Sequence, residues 1–469
     1  MEQKKQIKNI NILHIDSYDQ YGGAQKSTIN SLKAIGSSLK LSKLHLNSSD
    51  NNKYNDSEYN LNHSFNCNYN FNFYVIHNAN KVYEEELDNI GIPNFSIQMK
   101  NFGDIFAIIK IAKFLRKYKI DIIIFHSSKD QMLGGIACFL SCRRIVKILT
   151  RHVAYNISML KGFLIYHLLT DHYIAISKYI KNILINNLRI KENKITVIYD
   201  IRFTGYDDSS NKKNNQYYYN YNNDNKEQIN NLENKTEIEI KSVIETKTAE
   251  KTKPAMAPET EIETEIETNK TINNINDVKM EFGIRENEKI ISIIGRLSNE
   301  KGHMIFLNAA KQIIKKRKDI KFLIIGSGDL FNTIKEFIVN NNLSDYVIMT
   351  GFKKEIEKYI RASDLIVVPS GLEGLGGIIV ESCMEKKAVI ASNVGGIPEI
   401  INNNLTGILF EKDNFNELSD KIFDIIDDKK MLNDLGTNCY KKITEEFNPY
   451  KLAEENIALY CKLVKKFHL

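Results

Sequence analysis

The stretch Leu365-Ile366-Val367-Val368-Pro369-Ser370-Gly371-Leu372-Glu373-Gly374-Leu375-Gly376-Gly377-Ile378-Ile379-Val380-Glu381 decides the fold. Its first four residues are a continuous apolar run closed by a proline, the pattern of a strand buried on both faces. A glycine-rich turn follows and opens into a second apolar run that reads as a helix from about Gly377. The same strand–loop–helix unit recurs in both directions. Downstream, strands at 388–392 and 406–410 precede a helix at 414–427. Upstream lie strands at 290–294, 321–325 and 347–350 and helices at 303–318, 330–342 and 354–362. The first 200 residues repeat the scheme. They contain strands at 10–15, 74–77, 120–126, 145–149, 173–176 and 195–199, with helices at 24–35 and 103–119. Short apolar strands separated by helices specify parallel sheets, and two such series specify two doubly wound, Rossmann-like α/β lobes. Ligands in such sheets sit outside the carboxyl ends of the strands, so the cleft between facing lobes is the expected active site.

Two low-complexity insertions interrupt the series. Residues 47–73 are rich in Asn, Ser and Tyr, and 205–276 pass from Asn/Tyr to a Lys/Glu/Thr tract. Neither carries enough spaced apolar residues to build a core, so both read as disordered. The expected organisation is an N-terminal lobe at 1–204, a linker at 205–276, a second lobe at 277–448 and a closing helix at 449–469 that crosses back to the first lobe.

The 469 residues carry 64 Lys+Arg against 58 Asp+Glu. Residues 1–204 hold 27 basic and 16 acidic side chains, a net charge of +11, so with +6 overall the remainder is at −5. The first lobe is thus suited to anionic phosphates or an anionic lipid surface. Nothing resembles a nucleic-acid motif. No run of about 18 apolar residues occurs, and the first residues lack a secretory pattern, so a cytoplasmic protein is expected. The six cysteines, 67, 138, 142, 383, 439 and 461, form no Cys-x-x-Cys pair. Buried free thiols are the expectation.

The chemistry concentrates at the strand ends of the second lobe. A glycine-rich loop entering a helix at Gly376 presents free N–H groups and the positive end of a helix dipole, which suits a phosphate. The loop Gly295-Arg296-Leu297-Ser298-Asn299-Glu300-Lys301-Gly302 adds two cations, Arg296 and Lys301, that fit a diphosphate leaving group. Solvated loop charge is the competing reading of either cation alone. Glu381 lies about one turn into the helix and suits the vicinal hydroxyls of a ribose.

These segments together resemble the retaining glycosyltransferases of family 4, which have the GT-B fold. The resemblance rests on Gly295-Arg296-Leu297 with Glu300-Lys301-Gly302, then Gly326-Ser327-Gly328, Gly351-Phe352, Ala362-Ser363-Asp364 and Pro369-Ser370. Glu373 with seven residues before Glu381 is its most specific part, and Val394-Gly395-Gly396-Ile397-Pro398-Glu399 follows. It implies a nucleotide-diphosphate sugar donor in the second lobe. Arg296 and Lys301 would bind the diphosphate and Glu381 the ribose. Glu373, Gly374, Leu375 and Gly376 would contact sugar and phosphate, and Phe352 would border the base. Members are typically metal-independent, so no metal and no cofactor are expected.

The first lobe resembles the family more loosely. Gly22-Gly23 follows the first strand where the family's glycine loop approaches the donor, a plain turn being the alternative. His152 matches a histidine that binds the donor sugar. His126, Ser127, Ser128, Lys129 and Arg151 fall on the acceptor side. One departure stands out. The family usually reads Asn-Gly-hydrophobic-Asp after the last strand of this lobe, and here the residues are Asp200-Ile201-Arg202-Phe203.

The expected activity is retaining sugar transfer to an acceptor hydroxyl, a cell-envelope glycan or lipid-linked saccharide. No carboxylate pair suits a glycosidase-type double displacement, so a same-face substitution assisted by the leaving phosphate is favoured over Glu373 as nucleophile. A catalytically silent GT-B partner subunit and a nicotinamide-dependent oxidoreductase are the alternatives. The silent subunit conflicts with the charged residues, and the oxidoreductase with the incomplete glycine fingerprint. Helix 103–119 has two readings, a surface helix packed on its sheet or a peripheral contact with an anionic membrane surface.

Overall fold

The computed structural model describes residues 8–18, 22–47, 69–152, 166–202 and 275–469. The first lobe contains β1 (Lys8–Asp16), α1 (Gly23–Asn47), β2 (Tyr69–His77), α2 (Lys81–Asn89), β3 (Asn94–Ser96), α3 (Ile105–Lys117), β4 (Ile122–Phe125), α4 (Ser128–Ser141), β5 (Val146–Arg151), β6 (His172–Ala175), α5 (Lys178–Asn186) and β7 (Ile195–Val197). The second contains β8 (Lys289–Ile294), α6 (His303–Lys316), β9 (Ile320–Ile325), α7 (Phe331–Asn340), β10 (Val347–Gly351), α8 (Glu357–Ala362), β11 (Leu365–Val368), α9 (Gly377–Met384), β12 (Val389–Ser392), α10 (Ile397–Ile400), β13 (Ile408–Phe410), α11 (Phe415–Ile425) and α12 (Lys429–Glu446). Helix α13 (Pro449–Phe467) follows.

Both sheets are parallel throughout and wound alike, in the orders β3-β2-β1-β4-β5-β6-β7 and β10-β9-β8-β11-β12-β13. The winding reverses between β1 and β4 and between β8 and β11. These are the topological switch points, where loops diverge to either face and leave a crevice. The strands are buried because helices cover both faces. In β4 and β11 every residue is buried, as their continuous apolar runs require.

Helix α13 begins at Asn448, whose side chain accepts from the N–H groups of Tyr450 and Lys451, with Pro449 in the first turn. Its apolar stripe of Leu452, Ile457, Tyr460, Leu463 and Val464 packs with Ile10, Ile12, Ile122, Ile124 and Ile148, the outer face of the first lobe's sheet. The chain's last helix therefore belongs to the core of the first lobe. Further links join the lobes. The Ser177 hydroxyl donates to the Gly374 carbonyl at 2.6 Å. The Glu399 carboxylate accepts from the N–H groups of Lys178 and Tyr179, at 2.9 and 2.8 Å, and from the Tyr199 hydroxyl at 3.0 Å.

Three expectations need correction. The insertion at 47–73 ends early: Tyr69–Phe73 belong to β2, which pairs along its whole length with β1, and Tyr69, Phe71 and Phe73 pack half-buried against the first lobe's core between the asparagines. Likewise 275 and 276 already lie in a helix. The disorder expected of 48–68 and 205–274 falls outside the described residues. Buried free thiols do not hold for Cys383 and Cys439, which form a disulfide. They sit on α9 and α12, packed so closely that a Cβ on Gly436 would lie 2.0 Å from the Lys386 carbonyl oxygen. Two distant cysteines are thereby brought within bridging reach, 5.3 Å between Cα atoms. Cys461 is disulfide-bonded as well, while Cys138 and Cys142 are free.

Candidate active site

The two loops at the second lobe's switch point are interlocked by backbone contact. Gly302 stands at φ +73°, and a Cβ there would lie 1.8 Å from the Pro369 carbonyl oxygen. Gly371 N–H donates to the Glu300 carbonyl at 2.8 Å. Only glycine meets both demands at 302, a left-handed backbone and a carbonyl in van der Waals contact. The interlock sets Lys301 Nζ 2.5 Å from Glu373 Oε1, which also accepts from the Ser370 hydroxyl at 2.9 Å. Arg296 is exposed and makes no ion pair among the described residues, so its charge is uncommitted. Phe352 is 62% exposed just beyond β10.

Gly376, at φ +99°, is the N-cap of α9, and no side chain caps that end. The free N–H groups of the first turn thus face the crevice. Gly374 lies against the first lobe, since a Cβ there would meet the His152 carbonyl oxygen at 2.5 Å. Leu375 is buried and anchors the turn. Glu381 does not stand free: the Lys26 ammonium of α1 lies 3.0 Å from it and 3.3 Å from Glu357. A ribose at Glu381 has to share or displace that ammonium.

The first lobe contributes a chain of imidazoles. His14 Nδ1 lies 3.0 Å from His126 Nε2, and His126 Nδ1 lies 3.1 Å from His152 Nε2. His152 Nδ1 lies 3.2 Å from Asp200 Oδ1. Parallel strands β1, β4 and β5 end side by side and so align the three rings. Burial holds His14 down to about 4. Burial, followed by the neighbouring rings, keeps His126 well below the usual histidine range. With neutral rings the bonding has one polarity. Asp200 accepts from His152, His152 from His126 and His126 from His14, whose Nε2 is left as a buried lone pair with no partner among the described residues. Both nitrogens of His152 are thus engaged, and binding a donor sugar requires it to exchange the His126 partner.

Burial would raise Asp200, but His152 and Arg202 outweigh it and hold the carboxyl well below its usual range. Arg202 bonds Asp200 Oδ2 at 2.7 Å and donates to the Gly23 carbonyl at 3.0 Å. Gly22 N–H donates to Gln25 Oε1. Beside this chain lie two buried carboxyls at the ends of β1 and α4. Burial pushes Asp16 up to about 6, and burial with the charge of Asp16 pushes Asp130 up to about 7.

The remaining acceptor-side residues are engaged in the fold. Ser127 caps α4 by accepting from Asp130 N–H. The Ser128 hydroxyl faces the Tyr166 hydroxyl at 3.4 Å. Lys129 donates to the Met99 carbonyl at 3.1 Å, and buried Arg151 donates to the Tyr166 hydroxyl at 2.7 Å. The sequence pointed to the two loops that meet at Lys301 and Glu373 but assigned no role to Lys26, Asp16, His14 or Arg202. For Arg202 one signal was available, its departure from the resembled pattern.

Two family models match this chain, one over each half. Residues 274–442 match the glycosyl transferases group 1, and residues 72–200 match glycosyltransferase family 4. The chain belongs to the group 1, family 4 glycosyltransferases. An uncharacterized glycosyltransferase of Methanocaldococcus jannaschii is 34% identical over 183 residues, 38% of this chain and 50% of that protein. The UDP-Gal:alpha-D-GlcNAc-diphosphoundecaprenol alpha-1,3-galactosyltransferase of Escherichia coli is 31% identical over 195 residues, 41% of this chain and 50% of that enzyme. The chain thus spans about half the length of the curated relatives it matches. Among solved structures, Anabaena HepE in complex with UDP and glucose aligns over 97% of this chain and all of that one, at 17% identity and a TM-score of 0.67. That likeness establishes the GT-B fold of this family 4 chain.

Proposed function

We propose that the chain transfers a sugar from a nucleotide-diphosphate sugar to an acceptor hydroxyl, retaining the anomeric configuration. One observation carries the reading: interlocked loops set Lys301 against Glu373 beside the uncapped end of α9, directly across from His152. Lys301, the uncommitted Arg296 and the free N–H groups would stabilise the charge that grows on the diphosphate as the glycosidic bond breaks. The leaving phosphate would take the acceptor proton on the face it departs from. Glu373, neutralised by Lys301, would orient the sugar rather than attack it. A silent partner subunit has no use for these charges.

The acceptor we infer is a cell-envelope glycan or lipid-linked saccharide, on the strength of relatives whose names specify a diphosphoundecaprenol and a poly(ribitol-phosphate). A membrane-facing surface fits it. No described helix is long and apolar enough to cross a membrane. However, Phe102, Ile105, Phe106 and Ile109 are exposed on and before α3, and Phe139 and Leu140 at the end of α4. Exposed Lys110, Lys113 and Arg116 flank them, the composition of an interfacial anchor on anionic lipid.

Thermal stabilisation by a panel of nucleotide sugars, followed by NMR of the product's anomeric centre, tests the transfer. Stabilisation by none of them, or an inverted product, refutes it. Sedimentation with anionic vesicles but not neutral ones, lost in Phe106→Ser, tests the surface, and no lipid dependence removes it.

A further inference from the structure

We infer that Arg202 is a third cationic ligand of the donor diphosphate, delivered from the segment that follows the first lobe's last strand and held ready by Asp200. This rests on the donor reading above and adds a residue that the family pattern does not contain, since that pattern has a neutral stretch where this chain has Asp200-Ile201-Arg202.

The placement is specific. The guanidinium lies between two glycine turns. A Cβ on Gly377, the first residue of α9, would fall 2.6 Å from its Cζ and 2.7 Å from its Nε. A Cβ on Gly23 would fall 2.8 Å from NH1. Arg202 therefore touches the helix mouth proposed to take the phosphates and the glycine turn facing it across the cleft. Its side chain is only 13% exposed. Of its five N–H donors, one goes to Asp200 and one to the Gly23 carbonyl. Nε is buried without a hydrogen-bond partner among the described residues. A buried, incompletely bonded guanidinium is costly unless an anion completes it, and phosphate oxygens match its planar fork.

Asp200 explains why the guanidinium stays in place before the donor arrives. The same carboxylate accepts from His152 through one oxygen and pairs with Arg202 through the other. One anion thus positions the group that faces the phosphates and the ring that faces the sugar. A neutral asparagine at 200 could hold only one of the two as firmly. Asp200 is a positioning residue here, and Arg202 is the ligand.

Isothermal titration of UDP, GDP and ADP, each beside its parent nucleoside, into the unmodified protein and Arg202→Gln tests the inference. The expected result is a loss of about tenfold or more for the diphosphate with the nucleoside unchanged. A smaller loss, or an equal loss for nucleoside and diphosphate, overturns it by reducing Arg202 to a structural link between the lobes. If Arg202→Gln melts early, Arg202→Lys carries the same comparison, because it keeps the charge and loses the fork. If the unmodified protein binds no diphosphate, the donor reading itself fails and this one with it. If the unmodified protein and the variant bind the diphosphate equally, only Arg202 is removed.

Discussion

Replacing Gly302 by alanine separates catalysis from folding. The new Cβ would lie 1.8 Å from the Pro369 carbonyl oxygen, where real Cβ atoms keep at least 3.0 Å, so the two loops must part by more than 1 Å. Neither loop can yield alone, because Gly371 is hydrogen-bonded back to Glu300. The shift falls on the neighbouring Lys301, whose ammonium is 2.5 Å from Glu373. A misplacement of about 1 Å in a positioning group costs about 100-fold in rate. The left-handed backbone at 302 adds about 1–2 kcal/mol of strain, a tolerable fraction of a domain's stability. Turnover of the nucleotide sugar identified by thermal shift should therefore fall about 100-fold, while urea unfolding still shows a cooperative transition. Gly36→Ala is the control. It lies in α1 with nothing within 4 Å of the added methyl, so it should leave turnover unchanged and stabilise the helix by about 0.5–1 kcal/mol. Turnover of Gly302→Ala within threefold of the unmodified protein would refute the claim that the interlock sets the cation.

Further outcomes follow from the same structure. Lys301→Met removes a cation worth about 4 kcal/mol to a phosphate 4 Å away at an effective dielectric of about 20. At 30% exposure, screening leaves about 2 kcal/mol, so kcat/KM should drop about thirtyfold, and retention of full activity would exclude Lys301 from the site. Asp130 is raised by burial and by Asp16, so its stabilising protonated form is fully present below the unfolded value near 4 and is lost as pH rises through about 7. Asp130→Asn keeps an acceptor for Ser17 N–H and should raise stability at pH 8 relative to pH 5, on the order of 2 kcal/mol, and equal effects at both pH values would contradict the raised carboxyl. Burial lowers His14, so its neutral form stabilises the fold above about 6.5 and that contribution is lost as pH falls towards about 4. His14→Gln should blunt the acid-side fall in melting temperature, and an unchanged acid limb would count against the buried chain of rings. Cys383–Cys439 closes a 56-residue separation, worth about 4 kcal/mol of chain entropy. Cys383→Ser should lower the melting midpoint, and an unchanged midpoint with two fewer cysteines in disulfide linkage would oppose a structural bond.

The sequence by itself determined whatever depends on neighbours along the chain. Apolar runs such as Leu365–Val368 must be strands buried on both faces, glycines at 374 and 376 must make a turn, and the helix after them must open with free N–H groups. The order of these pieces around Glu373 and Glu381 therefore revealed the fold and its family. Of strand Tyr69–His77 the sequence showed only 74–77, because the asparagines among Tyr69–Phe73 read as low complexity until pairing with β1 makes the strand visible. The tertiary structure alone decided what depends on strand order. It set His14, within β1, and His126 and His152, just beyond β4 and β5, in one hydrogen-bonded line. It also placed Lys26 on Glu381 and brought Cys383 to Cys439. Side-chain partners more than 50 residues apart are chosen by how sheets wind and lobes close, and no local periodicity encodes that. Arg202 shows the division most clearly: the sequence marked it as a departure from its family, and only the meeting of two glycine turns gave that departure a place beside the proposed diphosphate site.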